Sequence, residues 1–457
     1  MSESARVLAA QRRYFATGAT LPTAFRRAAL RRLLNAVTAR EEQILDALHS
    51  DLGKAPMEGY LTEVGLVKSE IADQLRHLER WSRPRCSLPP LAQFPALGRV
   101  LPEPYGAVLI LSPWNYPFLL SVSPLAGALA AGNCALLKPA TAAPATAAVL
   151  QKLIADVFSP AYVHVLSPTG DSHEEILRQQ YDYILFTGSQ RVGRVVMAAA
   201  AEHLTPVTLE LGGKSPCIVE ESADLALAAR RIAFGKFLNA GQTCVAPDHV
   251  YVQRTVAAPF LAALKTEISR LYGADPLRSP DLPHIVSRHH FDRLCGLMAG
   301  ETIVCGGGVD ADSLRIAPTV LAGVSPDAPV MAEEIFGPIL PVLVFDTVGE
   351  LIARQQALPK PLALYLFTRD RAVERRVLGA LSFGGGCVND TVVHLACGGL
   401  PFGGVGASGM GAYHGRASFD TFTHYKSVLK KSNLLDIPVR YAPYTEGAFA
   451  LAKKLIR

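Results

Sequence analysis

The sequence predicts an α/β protein built on two open parallel sheets, and three observations support this fold class. Short apolar runs alternate with helix-like segments from residue 107 to residue 201, and a second alternating series extends from residue 208 to about residue 388. Strands that are buried on both faces of a parallel sheet have this pattern. The chain has 457 residues, whereas single cores stop growing at roughly 250–300 residues, so we expect at least two domains.

Two helical segments and a proline-rich connection precede the first series. Apolar positions at helical spacing predict helices over residues 22–52 and 61–81, and residues 83–91 are extended. The first series predicts strands at residues 107–111, 134–137, 162–166 and 183–186, and helices at residues 124–131, 143–157, 174–180 and 191–201. The second predicts strands near residue 218 and at residues 249–252, 342–345 and 363–367. The two series meet close to Pro206.

Composition and charge exclude several functional classes. Hydrophobic residues make up 49% of the chain and charged residues 19%, which indicates an ordered globular protein. The net charge of +5 is spread over 45 basic and 40 acidic residues, so we expect no nucleic-acid partner. Residues 107–137 are apolar, but prolines interrupt them before they reach the roughly 20 clean residues of a membrane span. We therefore expect a soluble protein without a membrane partner.

The cysteines and histidines indicate neither disulfides nor a metal. The eight cysteines form no CxxC pair, and the N-terminus has no apolar signal core, so we expect a reducing cytoplasm. Five histidines that could suggest a metal, His289, His290, His394, His414 and His424, lack zinc-ligand spacing. We predict no metal site.

One cysteine and one glutamate together suggest covalent catalysis. Cys244 follows a Gly-Gln-Thr turn, and Glu210 ends an apolar run before Leu-Gly-Gly. A thiolate is a strong nucleophile and a carboxylate can deprotonate water, so the pair could acylate and then hydrolyse a thioester. A buried cysteine beside a tight turn is the alternative, and for a cysteine taken at random it is the commoner one.

A glycine turn and a lysine suggest a phosphate-binding edge of the first sheet. Residues 187–193, Thr-Gly-Ser-Gln-Arg-Val-Gly, connect a strand to a helix, where backbone amides can bind phosphate. Lys138 ends another strand and could reach a ribose or a phosphate. A βα turn without a ligand and an ordinary surface lysine remain open as alternatives, because the turn is not a G-x-G-x-x-G fingerprint.

Seven motifs in order resemble the aldehyde dehydrogenase superfamily, and within it the shorter class 3 type. The resemblance covers nearly the whole chain. The motifs are Ser112-Pro-Trp-Asn-Tyr-Pro117, Lys138-Pro139, Phe186-Thr-Gly-Ser189 with Gly193, Leu209-Glu-Leu-Gly-Gly213, Gly241-Gln-Thr-Cys244, Glu333-Glu-Ile-Phe-Gly-Pro338 and Leu400-Pro-Phe-Gly-Gly404. The segment from residue 405 to residue 426 looks especially like class 3.

The resemblance implies a domain plan and an assembly. It implies two doubly wound domains, a Rossmann-like cofactor domain over residues 1–207 and a catalytic domain over residues 208–418. A small β element would bridge two subunits of a homodimer, with strands from residues 82–103 and from the C-terminal segment 419–457.

The resemblance also assigns residues to NAD or NADP. Lys138 would bind the adenosine ribose, Ser189 and the Gly188 turn would face the pyrophosphate, and Glu334 would bind the nicotinamide ribose. The remaining expected cofactor contacts are Trp114, Thr187, Gly193, Leu211 and Phe336. Without the family context, Glu334 would be taken as a surface or capping acid and Phe336 as a core aromatic.

Thr141 departs from the pattern of many relatives. They carry Lys-Pro-Ser-Glu, in which the glutamate accepts hydrogen bonds from the ribose, whereas this chain has Ala140 and Thr141 after Lys138-Pro139. A carboxylate there would repel a 2′-phosphate, and a neutral threonine beside Lys138 would tolerate one. We therefore expect NADP to be accepted, with its preference over NAD left open; the alternative is that Thr141 merely fills space.

The resemblance implies aldehyde oxidation to a carboxylic acid. Cys244 would attack the aldehyde, Asn115 and the Cys244 N–H would donate to the oxyanion, and Glu210 would activate the hydrolytic water. From its setting alone, Asn115 could equally be a turn residue and Glu210 a member of a buried ion pair. Two other functions remain open: an acylating enzyme in which coenzyme A replaces water, and a non-enzymatic ligand-binding protein.

Aromatic and leucine side chains near these motifs suggest an apolar substrate. Trp114, Tyr116, Phe118, Phe237 and Leu238 could line a tunnel for aromatic or medium-to-long-chain aliphatic aldehydes, although they could also be core residues. No additional arginine is available for a second carboxylate, so semialdehyde acids are disfavoured.

Overall fold

The computed structural model describes residues 2–436 and 438–456, which form α-helices and β-strands in four sheets. The α-helices are α1 Glu3–Ala16, α2 Thr23–Ala39, α3 Glu41–Leu52, α4 Pro56–Gly59, α5 Gly65–Trp81, α6 Leu119–Ala131, α7 Pro144–Val157, α8 His173–Leu177, α9 Gln190–Glu202, α10 Leu225–Phe237, α11 Ala257–Tyr272, α12 Arg288–Met298, α13 Pro329–Ala332, α14 Val348–Gln356, α15 Arg371–Ala380, α16 Arg416–Thr421 and α17 Glu446–Leu455.

The β-strands alternate with these helices over most of the chain. They are β1 Arg85–Ser87, β2 Ala96–Pro104, β3 Ala107–Leu111, β4 Cys134–Lys138, β5 Val163–Val165, β6 Tyr183–Gly188, β7 Val207–Leu211, β8 Pro216–Val219, β9 His249–Gln253, β10 Thr302–Cys305, β11 Val309–Asp310, β12 Arg315–Ile316, β13 Thr319–Ala322, β14 Ile339–Phe345, β15 Ala363–Phe367, β16 Gly385–Val388, β17 Gly409–Met410 and β18 Thr423–Lys431.

Two large open sheets confirm the predicted fold class. The first has the order β17-β7-β6-β3-β4-β5 and the second the order β10-β13-β14-β9-β8-β15-β16. Within each sheet the pairings are parallel except at one edge, where β17 and β10 are antiparallel to their neighbours. Carboxyl ends of parallel strands lie at one edge of a sheet, and this places Lys138 and Gly188 at the same edge of the first sheet.

Alternate residues of the second sheet face two different cores. Cys217 and Val219 of β8 join the cluster under α10 and α11, whereas Ile218 between them packs with Leu351 of α14 and Val377 of α15. Because side chains alternate across a strand, a sheet with both faces covered needs apolar residues at nearly every position. This is why the strands appear in the sequence as continuous apolar runs.

The strand β7, which carries Glu210, pairs in parallel with β6 and so completes the first sheet. The predicted division at residue 207 falls at the first residue of this strand, and the division into domains stays a prediction. The segments around residues 82–103 and 419–430 form a three-stranded antiparallel sheet in the order β1-β2-β18.

The N-terminal helices and α6 differ from the sequence expectations. The helix expected over residues 22–52 is two helices, α2 and α3, separated at Arg40, whose φ of −113° and ψ of 17° are not helical. The sequence analysis did not anticipate α1. The helix expected from residue 124 begins at Leu119, because a distant carboxylate, that of Glu63, accepts the N–H groups of Phe118 and Leu119. None of the helices described is both long and apolar enough to cross a membrane.

Candidate active site

Cys244 lies in a tight loop after α10. The chain leaves Phe237 through a 3₁₀ turn, Leu238–Gly241, in which Asn239 and Ala240 both have a φ of +51°. Left-handed backbone is unfavourable for residues with a Cβ and persists where the surroundings fix it. The hydroxyl of Tyr116 lies 2.6 Å from Thr243 Oγ1, and this hydrogen bond helps to hold the loop next to Cys244.

Glu210 is almost completely buried at 1% exposure, and both of its carboxyl oxygens are without a hydrogen-bond partner among the described residues. Burial raises the pKa of Glu210 to about 7. Gly409 of β17 makes this strand pairing possible, since a Cβ there would lie 2.1 Å from the carbonyl oxygen of Leu209. A carboxyl with a pKa near neutrality is suited to act as a general base.

The Cys244 thiol lies beside that carboxyl, at the surface of the same cavity. Burial raises the pKa of Cys244 well above its ordinary value, and the carboxylates of Glu210 and Glu334 raise it further. The thiol is therefore protonated in the free protein at neutral pH. A positive charge brought into the site, or transfer of the proton to a base, is needed to form the thiolate.

Asn115 is held against the cysteine loop. Its side chain is buried, and Nδ2 donates to the carbonyl of Gln242 over 3.0 Å. This hydrogen bond uses one of the two N–H groups of the amide and leaves the second for another acceptor. Within the described part of the chain, the N–H of Cys244 makes no backbone hydrogen bond. The Cys244 N–H and the second N–H of the Asn115 amide are thus two donors in and against the cysteine loop that could serve an oxyanion.

A cavity of about 270 Å³ opens onto Cys244 and Glu210. Its walls are predominantly apolar, and they include Leu61, Leu66, Tyr116, Leu119, Leu120, Phe234, Leu238, Val392, Leu395, Phe402 and Tyr413. Of the five side chains suggested from sequence, Tyr116 and Leu238 line this cavity. Phe118 and Phe237 are fully buried in the two cores, which is the alternative that the sequence left open for them.

Trp114 lies outside this cavity, in a second aromatic group. Its ring centroid is 5.5 Å from that of Phe336 in an edge-to-face arrangement and 5.5 Å from that of His290. Phe336 has a φ of +50°, a conformation unusual for an aromatic residue. The two sequence-predicted cofactor residues therefore lie in contact with each other.

The turn between β6 and α9 has the form of an anion-binding site. β6 ends at Gly188, and Ser189 caps the 13-residue helix α9 by accepting the N–H of Val192 over 3.4 Å. Thr187 is 5% exposed, and its Oγ1 is an orphaned buried hydroxyl among the described residues. A helix N-terminus and an unused hydroxyl fit a phosphate group of a dinucleotide.

Gly193 of α9 packs against Leu211 of β7. A Cβ at Gly193 would lie 2.6 Å from Leu211 Cδ2, so a larger residue there would require the Leu211 side chain to move. The two residues assigned to the cofactor by resemblance thus pack against each other next to the turn.

Lys138 and Thr141 lie at the neighbouring strand end. Lys138 is buried, its Nζ donates to the carbonyls of Pro139 and Pro168, and burial lowers its pKa. Thr141 is exposed beyond it, so it is accessible to a ligand at this edge.

Glu334 lies against Gly212, the residue that follows β7. A Cβ at Gly212 would lie 2.0 Å from Glu334 Oε2, so the absence of a side chain at Gly212 makes room for this carboxyl. Burial raises the pKa of Glu334 to about 8, with Asp248 and Glu210 adding to the increase. Lys214 does not reach Cys244: its Nζ pairs with Asp248 over 2.6 Å.

The sequence analysis missed three charged residues next to the site. Lys54, Glu63 and Lys236 are at most 1% exposed, and burial lowers the pKa of Lys236 to about 8. None lies in a motif, and an isolated Lys or Glu in a helical segment looks like a surface residue. No local signal marks them.

Groups of side chains that could bind a metal are absent from residues 2–436 and 438–456. Cys217 is fully buried, and Cys387 Sγ lies 3.5 Å from His394 Nδ1. Burial lowers the pKa of His414 to about 4, so it is neutral where it lines the cavity.

The chain matches known enzymes over nearly its whole length. A family model described as the aldehyde dehydrogenase family matches residues 2–428. The 4,4'-diaponeurosporen-aldehyde dehydrogenase of Staphylococcus aureus (strain NCTC 8325 / PS 47) is 46% identical over 97% of each chain. Aldehyde dehydrogenase family 3 member H1 of Arabidopsis thaliana is 44% identical over 100% of this chain and 95% of its own. The solved substrate-bound state of Staphylococcus aureus AldH is 44% identical, covers 100% of both chains and gives a TM-score of 0.97.

Proposed function

The chain belongs to the aldehyde dehydrogenase family, and from that premise we propose how it oxidises aldehydes to carboxylic acids. One observation carries the proposal. A single cavity contains a protonated thiol, Cys244, next to Glu210, a buried carboxyl with a pKa of about 7 and no hydrogen-bond partner among the described residues. Nucleophilic attack and hydrolysis need these two groups within reach of one substrate carbon.

Cys244 gives up its proton to a base, attacks the aldehyde carbon as the thiolate and forms a thiohemiacetal. The negative charge that develops on the oxygen is stabilised by Asn115 Nδ2 and by the N–H of Cys244. A single donor of this kind is typically worth roughly 3–4 kcal/mol of barrier. The hydrogen bond of Asn115 to Gln242, two residues before the nucleophile, supports this role because it holds the amide against the loop that carries the thiol.

Glu210 releases the product. After oxidation, the acyl group is a thioester on Cys244, and Glu210 removes a proton from the attacking water. A carboxyl with a pKa of about 7 is deprotonated in a substantial fraction of molecules at neutral pH, yet it is basic enough to accept that proton. The same base argues against transfer of the acyl group to coenzyme A.

Enzymes of this family use NAD or NADP, and bound NAD(P)⁺ supplies the hydride acceptor. Thr187, Gly188 and Ser189 would hold the phosphates at the start of α9, and Lys138 the adenosine ribose. Glu334, Phe336 and Trp114 would surround the nicotinamide half. Gly193 and Leu211 would contact the cofactor between the phosphates and the nicotinamide.

We further propose that NADP is accepted. Thr141 is exposed and uncharged, and it follows Lys138 closely in the chain. Neither residue would repel a 2′-phosphate, and the lysine would attract it.

The cavity supports apolar aldehydes as substrates. Its walls are mainly leucine, valine and aromatic side chains, and among the described residues that line it there is no lysine or arginine. Aromatic and medium-to-long-chain aliphatic aldehydes fit such walls, whereas an aldehyde with a second carboxylate would lose solvation without gaining a cation.

We propose a homodimer in which the sheet β1-β2-β18 bridges the subunits. Most of β18 is exposed, including Val428 and Leu429, and exposed strands with apolar side chains favour pairing with another chain. The division into a cofactor domain, a catalytic domain and a C-terminal segment belongs to the same proposal. All eight cysteines are free, which is consistent with a reducing cytoplasm.

A turnover panel tests the proposed function. Benzaldehyde, cinnamaldehyde, hexanal and a long-chain aldehyde are each incubated with NAD and with NADP, and both the reduced cofactor and the organic product are measured. The proposal requires reduced cofactor and free carboxylic acid in equal amounts, and neither from the Cys244→Ala variant. Formation of acyl-CoA only when coenzyme A is present would favour the acylating alternative, and binding without turnover would favour a ligand-binding protein.

A further inference from the structure

A fully buried ion pair lies outside every motif of the sequence. Lys54 Nζ and Glu63 Oε1 are 2.6 Å apart, and both side chains have 0% exposure. Removing two charges from water is costly, and a buried pair is often no more stabilising than apolar side chains of the same size. The function of the pair must therefore be sought in its remaining contacts.

Those contacts all go to the turn that carries Asn115. Lys54 Nζ donates to the backbone carbonyl of Asn115 over 2.9 Å and lies 4.0 Å from the ring centroid of Tyr116. Glu63 Oε2 accepts the N–H of Phe118 over 2.9 Å and that of Leu119 over 3.1 Å. The cation fixes the middle of the turn, and the carboxylate fixes its end at the start of α6.

The local fold explains how Glu63 faces inward. α4 continues into a π-helical turn, Tyr60–Val64, before α5 begins. The wider π turn rotates the side chains relative to an α-helix, and such turns are frequent at functional sites. The same segment reaches the cysteine loop as well, since Glu58 Oε1 accepts the N–H of Asn239 over 2.8 Å.

Asn239 closes a ring of hydrogen bonds between the two loops. Its Nδ2 donates to the carbonyl of Asn115 over 2.9 Å and to that of Gln242 over 3.2 Å. Asn115 in turn donates its own Nδ2 to Gln242. The carbonyl of Asn115 thus accepts two donors, one of which is the Lys54 ammonium.

We propose that Lys54 and Glu63 are positioning residues for the oxyanion-binding amide of Asn115. The inference rests on the proposed function of Asn115. Neither charged group lines the cavity. They act by holding the backbone of the turn so that the Asn115 amide keeps one N–H on Gln242 and the other on the substrate oxygen.

The expected effect is on the rate of the first turnover. Displacement of a catalytic group by about 1 Å can cost roughly 100-fold in rate, so loss of the ion pair should slow the burst of NAD(P)H by about 10- to 100-fold. Alkylation of Cys244 by iodoacetamide should proceed at the normal rate, since the nucleophile itself is untouched.

The test uses a neutral pair in place of the charged one. In Lys54→Met/Glu63→Gln both charges disappear together, and the glutamine oxygen still accepts from the N–H groups of Phe118 and Leu119. Lys68→Met is the matched control, because Lys68 also pairs with a glutamate and lies 5.7 Å from a tyrosine ring, that of Tyr60, but on the partly exposed side of α5. Its burst rate should equal that of the wild type.

A double-mutant cycle with Asn115→Ala separates positioning from general damage. If the pair acts through Asn115, the neutral pair slows the wild-type burst but adds no further slowing to Asn115→Ala. An equal slowing in both backgrounds, or a normal burst rate in the neutral-pair variant while Asn115→Ala is slow, would overturn the inference and leave the proposed function intact.

Two further outcomes are decisive. A normal burst rate in Asn115→Ala would refute the oxyanion role itself, and with it the positioning role. If circular dichroism shows that the double variant does not fold, Glu63→Gln alone replaces it in the same cycle: slowing that disappears in the Asn115→Ala background supports the inference, and any other result contradicts it.

Discussion

Burial of Glu210 should make the protein less stable as the pH rises, and Glu210→Gln should remove this effect. The carboxyl is 1% exposed, and both oxygens are without hydrogen-bond partners in the described part of the chain. Its pKa is about 7 in the folded protein, compared with an ordinary value of 4.5. A carboxyl with a raised folded pKa favours the folded state at low pH. That contribution is fully present below pH 4.5 and is lost as the pH rises to about 7.

The magnitude follows from the size of the pKa difference. A pKa difference of about 2.5 at about 1.4 kcal/mol per unit corresponds to about 3.5 kcal/mol over the whole window. Between pH 5 and pH 8 the wild type should lose about 2.5 kcal/mol relative to Glu210→Gln, whose amide does not titrate. If the whole chain unfolds together, this is a relative change in Tm of about 2–3 °C.

The assay is thermal unfolding of the wild type and of Glu210→Gln, without cofactor, at pH 5 and at pH 8. The Tm of Glu210→Gln should rise relative to that of the wild type as the pH increases, although the variant is impaired in turnover. Glu202→Gln, at an exposed position on α9, is the control and should show the same pH dependence as the wild type. A Tm difference between Glu210→Gln and wild type that is the same at both pH values would refute the reasoning.

Three further predictions concern single positions. Asn115→Ala should lower kcat by about 100- to 1000-fold without affecting folding, because one oxyanion donor is lost. Steady-state kinetics measure kcat and circular dichroism checks the fold; an unchanged kcat contradicts the assignment. Thr141→Glu should lower kcat/KM for NADP by about tenfold or more and affect NAD less, since the carboxylate repels the 2′-phosphate; equal effects on both cofactors contradict it. Gly409→Ala should destabilise the protein by about 1–3 kcal/mol in denaturant unfolding, because its φ of +139° and its contact with the Leu209 carbonyl exclude a Cβ; a neutral effect would show that β17 relaxes.

Much of the fold was predictable because buried parallel strands carry their signal locally. The runs at β3, β4, β6 and β15 are apolar at successive positions, and the predicted bounds differ from the structure by two residues or fewer. The start of α6 could not be predicted, since the helix is capped by Glu63 from a segment more than 50 residues away. The break between α2 and α3 depends on the backbone conformation at Arg40, where neither proline nor glycine marks it.

The candidate site, like the fold, was predictable only in part. Cys244, Glu210 and Asn115 lie in ordered motifs and were predicted from them; the structure places Cys244 and Glu210 on one cavity and holds Asn115 against the cysteine loop, and the three catalytic roles stay predictions. The substrate cavity was largely missed, because Leu61 and Leu66 come from the N-terminal helical segment and Val392 and Tyr413 from the C-terminal third. Only the tertiary structure brings such distant segments to one wall.

The central claim is an acyl group carried on Cys244 and released by Glu210. Glu210→Gln is mixed with an apolar aldehyde and NAD(P)⁺, quenched with acid, digested and analysed by mass spectrometry. We predict a burst of about one reduced cofactor per active site, followed by arrest, and the mass of the acyl group on the peptide that contains Cys244. Continued turnover at the wild-type rate with Cys244 unmodified, or an acyl group on a different cysteine, would contradict the account.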